Sequence, residues 1–118
     1  MLLTFRSEQH RMNNFYILKD RIPIPVEDVE EWGRWFETAD KQIALDELEG
    51  VRVSTVFLGI EHVGGCLFET MVFGGPRDQN QYRYRTYEEA EMGHQQVVAD
   101  VKQALADEAA SWPTELAL

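Results

Sequence analysis

A chain of 118 residues carrying 21 acidic and 11 basic side chains has room for one domain. Its net charge of −10 repels bare nucleic acid unless a local basic patch forms. Hydrophobic residues make up 44%, enough for a core, yet no apolar run nears the roughly 20 residues of a membrane helix, and the single Cys66 excludes an internal disulfide.

In chain order, MLLTF is too short for a signal-peptide core and polar SEQHR follows it. Residues 1–12 hold no period of 2 or 3.6, so they are expected to form a poorly ordered extension, with Met12 as an alternative start. One domain is expected over 13–110, followed by a loose tail over 111–118. Phe15 to Lys19 predicts a first strand. The IPIP stretch after it predicts an extended connector, because Pro23 and Pro25 suit neither a helix nor a central strand. Val26 to Thr38 predicts a helix with Val29, Trp32, Trp35 and Phe36 on one apolar face and acidic residues in its first turns.

Lys41 to Leu48 predicts a short strand with Ile43 and Leu45 inward, and Glu49-Gly50 a tight turn into Val51. The stretch from Val51 to Gly74 is the most apolar in the chain and reads as two central strands joined by a glycine-rich loop. Both alternating faces carry large apolar side chains, so both are expected to be covered, one by helices and the other by a second subunit. Tyr82 to Arg85 predicts a short strand. Thr86 and Glu89 predict a capping box opening a last helix to about Glu108, with Ala90, Val97, Val98, Val101 and Leu105 as its stripe. The order predicts an α+β fold: an antiparallel sheet of four to five strands with two helices packed mainly on one face.

Three titratable residues stand out. Glu69 shares a strand face with apolar residues, and a buried carboxylate there calls for a partner such as Arg83 or Arg85. His62 lies in the glycine loop and His94 on the apolar stripe of the last helix. His62, His94 and Glu69 together suit a metal ion or a base with its orienting group, although no H-E-x-x-H, C-x-x-C or phosphate-loop spacing is present. Trp32 and Trp35 suit core or subunit contacts. No catalytic residue, metal ligand or cofactor is predicted.

The blocks WGRWFE, VRVSTVFLGIEH, LFETMVFGG and YRTYEEAEMGH, taken together from Tyr16 to Val101, resemble a family of small bacteriophage and prophage proteins. The resemblance implies no activity and no site residues. It implies a phage-associated, cytoplasmic setting and an accessory role outside the virion. The expected function is therefore a non-catalytic interaction or sequestering module acting on a host or phage protein, dimeric and without direct nucleic-acid or membrane binding. The alternatives are a small enzyme or ligand-binding protein built on His62, His94 and Glu69, and an acidic mimic of DNA.

Overall fold

The computed structural model describes residues 14–111, and the long strand β4 (Val51–His62) is the piece on which the others are assembled. The expectations for residues 1–12 and for the tail beyond Ser111 lie outside the described residues. In chain order come β1 (Phe15–Lys19), β2 (Ile22–Val26), α1 (Val29–Thr38), β3 (Gln42–Leu48), β4, a 3-10 turn (Val63–Gly65), β5 (Cys66–Phe73), β6 (Gln81–Tyr84) and α2 (Tyr87–Ala110). The six strands form one antiparallel sheet ordered β2-β1-β4-β5-β6, with β3 also paired to β4. The fold is α+β as expected, with one strand more than expected. The extra strand is IPIPV. Its prolines are tolerated because β2 is an edge strand, paired with β1 alone among the described strands.

β4 serves two strands along one edge. β3 pairs with its first half, from Leu48↔Val51 to Gln42↔Val56, while β1 meets it only where Phe15 faces Ile60. At the fork β4 bulges at Gly59, whose φ of +77° is costly for any residue with a Cβ. A Cβ there would also lie 2.8 Å from the Phe36 ring. Parting strands leave backbone carbonyls without partners, and here one side chain supplies them. The Trp32 indole N–H donates to both the Tyr16 and the Gly59 carbonyl, each at 3.0 Å. Trp32→Phe keeps the ring and loses this shared donor. It is expected to cost about 1–2 kcal/mol in urea unfolding, and a loss under about 0.5 kcal/mol would show that solvent serves the fork equally well.

Both helices lie on one face of the sheet. Asp28 caps α1, accepting from the Glu30 and Glu31 amides, so the helix starts three residues later than the sequence pattern predicts. Thr86 and Glu89 form the expected capping box on α2. A run of rings bridges α1 to α2 across the inner face: Trp35 to Phe57 at 5.8 Å, Phe57 to Phe68 at 5.2 Å and Phe68 to Tyr87 at 6.0 Å. Val51, Val53, Val72, Val97 and Val101 form the second half of the core under the rest of α2. Among the described residues, no helix is long and apolar enough to cross a membrane.

The register fixes what the other face presents. Glu47, Arg52 and Phe73 form one row across it, then Leu45, Ser54, Met71 and Gln81, then Val56, Glu69 and Arg83. No described element covers these rows, so Leu45 and Phe73 are 49% and 46% exposed. This corrects the expectation for Leu45, whereas Ile43 packs against the inner core as expected. An irregularity between Gln42 and Ala44 inserts one residue, and a one-residue slip exchanges the two faces of a strand. Ala44, Asp46 and Leu48 therefore face α2, and Leu45 faces out.

Candidate functional site

The inner face has one polar feature, running through its centre. Thr55 of β4 and Thr70 of β5 are directly opposed and wholly buried. Their hydroxyl oxygens are 2.5 Å apart. His94 of α2, itself only 3% exposed, places Nδ1 2.7 Å from the Thr55 hydroxyl and Nε2 2.7 Å from Oδ1 of Asp46 on β3. At the other end the Tyr84 hydroxyl donates to Thr70 at 3.0 Å. The line Tyr84–Thr70–Thr55–His94–Asp46 thus joins β6, β5, β4, α2 and β3. With His94 neutral and carrying its hydrogen on Nε2, three hydroxyl hydrogens and one imidazole hydrogen fill the four links in a single direction. No buried side-chain polar atom among the described residues is left without a partner.

The order hydroxyl–imidazole–carboxylate is that of a nucleophile, its base and an orienting acid. Burial argues against that use, because Thr55 has no exposed surface and no substrate reaches its oxygen. The line acts instead as a positioning device. It fixes the rotation of α2 over four strands, since an unmet polar group at this depth is expensive.

Tyr84 marks the wet end. Burial raises its phenol above the ordinary tyrosine value, the nearby Tyr82 adds to this and the Thr70 hydroxyl opposes it. A phenol held neutral in the fold binds its proton more tightly than in the unfolded chain. The stability it contributes is complete below the unfolded value near 10 and is lost as pH rises through the folded value. Tyr16 is shifted the same way by burial and by Glu61. Tyr84→Phe is therefore expected to flatten part of the alkaline fall in the urea midpoint, and Tyr16→Phe added to it to flatten more. An unchanged alkaline slope in the double variant would contradict this.

The structure does not bring His62, His94 and Glu69 together. His62 ends β4 opposite Cys66, beside the glycine turn against which Arg85 also lies. His94 sits over Thr55, seven positions back along β4, roughly 20 Å away at about 3.3 Å per residue. Glu69 is on the opposite face, bonded at 3.1 Å to Arg83, one of the two arginines that the sequence offers it. Arg77 bonds Asp100 at 2.9 Å, so of the three arginines that lie close together in sequence, Arg77, Arg83 and Arg85, two are engaged by acids. Among the described residues no cluster of three His, Cys, Asp or Glu is placed to hold a metal. Trp32 and Trp35 are packing residues at the fork and on Phe57.

Asp46 and Thr55 are the residues that pattern reading misses. Two paired threonines on a strand leave no signal beyond polarity inside an apolar run. Asp46 is hidden by the same irregularity that turns Leu45 outward. Compared with protein-family models, curated proteins and solved structures, the chain finds no match.

Proposed function

We propose that this chain is a small interaction protein without a reaction centre, which uses the uncovered outer face of its sheet to bind a macromolecule, first of all a second copy of itself. The observation that carries the reading is the neutrality of that face in a protein of net charge −10. Its charged side chains cancel as two ion pairs, Glu47 with Arg52 and Glu69 with Arg83. Between them lie Leu45, Val56, Met71 and Phe73. Such a patch meets its own copy without electrostatic penalty, whereas the remaining surface repels itself. Four strands at about 4.8 Å and about six residues at ~3.3 Å give a footprint of roughly 20 by 20 Å. With side-chain relief that approaches the low end of a specific interface, about 600 Å² per partner.

The phage-associated setting and the role on a host or phage protein belong to the same proposal and rest on the sequence resemblance, and the cytoplasmic setting rests on it and on the lone Cys66, which suits a reducing compartment. The opposing-sign pairs on this face count against an acidic mimic of DNA there. Light scattering on the purified protein is expected to give a dimer mass, and Val56→Lys with Met71→Lys to give a monomer that still melts cooperatively. A monomer mass for the unaltered protein at high concentration would end the dimer reading.

A further inference from the structure

Among the described strands β2, β6 and β3 lie at edges of the sheet, and two of these three are blunted. In β2 the two-residue turn at Asp20-Arg21 makes Lys19↔Ile22 the closing hydrogen-bonded pair. By alternation Pro23 and Pro25 occupy the positions whose N–H would point outward, so that edge offers no donors there. β6 is only four residues long. β3 has seven residues and no proline, and pairs only with β4 among the described strands. The turn at Glu49-Gly50 makes Leu48↔Val51 its closing pair. Leu45 and Glu47 therefore direct their N–H and C=O groups away from the sheet.

Beside this edge runs a groove of about 490 Å³ between β3 and α2. Ile43, Ala44, Val98 and Ala99 give it apolar walls, and His94 and Asp46 reach its floor. Glu91 and Lys102 mark its length along the helix, eleven residues or about 16 Å. A strand added beside β3 places alternate side chains under the flank of α2, in this space.

We propose that β3 and the flank of α2 form a docking groove for an extended, positively charged segment of another protein, which joins the sheet as a strand beside β3. Charge chooses the occupant. Asp46 and Glu91 line the groove against Lys102; beyond the two ends of β3 stand Glu49 and Lys41, the latter held on the Phe36 and Ala39 carbonyls, and the protein as a whole is strongly acidic. A second copy fits poorly: antiparallel pairing of β3 with itself through both Leu45 and Glu47 sets Asp46 opposite Asp46, and like charges directly opposed destabilise a sheet. The segment that fits alternates cationic and apolar residues, with main-chain bonds giving affinity and the groove giving selectivity. The two sites meet at Leu45 and Glu47, which give side chains to the outer face and main-chain groups to this edge, but they use different surfaces, and either proposal stands if the other fails.

The test uses the full chain and a short end-blocked peptide alternating valine and lysine. Titration calorimetry is expected to show binding, and hydrogen exchange at the Leu45 and Glu47 amides to slow at least about tenfold in the complex. Glu91→Lys, a change at a groove residue outside the polar line, is expected to weaken binding about tenfold or more. N-methylation of the peptide amides on its bonding edge is expected to abolish it. The proposal is overturned by no binding, by equal affinity of the N-methylated peptide, by unchanged exchange at both amides, or by protection of both amides in the peptide-free protein.

Discussion

Thr55→Val is expected to cost about 2–3 kcal/mol of stability, although the two side chains have nearly the same shape and both suit a strand. The substitution leaves His94 Nδ1 without its donor and the Thr70 hydroxyl hydrogen without its acceptor, both in the core. Thr70→Val is expected to cost less, about 1 kcal/mol. Thr55 keeps its bond to His94, and the half-buried Tyr84 hydroxyl turns to water. The double variant removes the stranded Thr70 hydroxyl, so its cost is expected to fall below the sum of the singles by about 1 kcal/mol. Urea unfolding of the four proteins measures this. Additive losses each under about 0.5 kcal/mol would show that the polar line does not hold α2 in place.

The second large effect is at Gly93, where α2 crosses β6. A Cβ there would fall 2.2, 2.4 and 2.5 Å from Cε1, Cζ and Oη of Tyr84, so the helix backbone rests directly on the phenol ring. Gly93→Ala gains about 1 kcal/mol in helix propensity. The ring must then swing away, which adds overpacking of about 1–3 kcal/mol and forfeits the bond to Thr70. The net result is expected to be a loss of about 2 kcal/mol. In a Tyr84→Ala background the clash is gone and the same alanine is expected to stabilise, a reversal of sign that only direct contact produces. Destabilisation of equal size in both backgrounds would place the cause elsewhere.

These two sites also show where the sequence is legible. Periodicity marks β1, the β4–β5 pair, β6 and both helices, because each presents a long apolar face or a cap that local chemistry dictates, such as Thr86 with Glu89. The turn at Glu49-Gly50 and the pairing of Glu69 with Arg83 follow from the same local rules. What is lost is non-local. IPIPV reads as a connector because nothing in it tells that its prolines sit on an outer edge. One inserted residue near Ile43 hides Asp46 and exposes Leu45. Sequence proximity groups His62 with Glu69, yet the strand carries them apart, while His94 finds its acid 48 positions away. Gly93 looks like a weak point in a helix, and only the facing Tyr84 explains it. Apolar residues on both faces of β4 and β5 predict two covered faces, and the described residues of one chain cover one.

That uncovered face is the centre of the account, and Met71 reports on it. It stands on that face opposite Ser54, with Val56 and Phe73 at neighbouring positions of the same face, while Met92, 63% exposed on α2, serves as a control in the same spectrum. The decisive measurement is a dilution series of methyl-labelled protein with a soluble paramagnetic agent. Met71 is expected to be shielded at high concentration and to broaden on dilution, with Met92 broadened throughout. Equal broadening of both methyls at every concentration would contradict this.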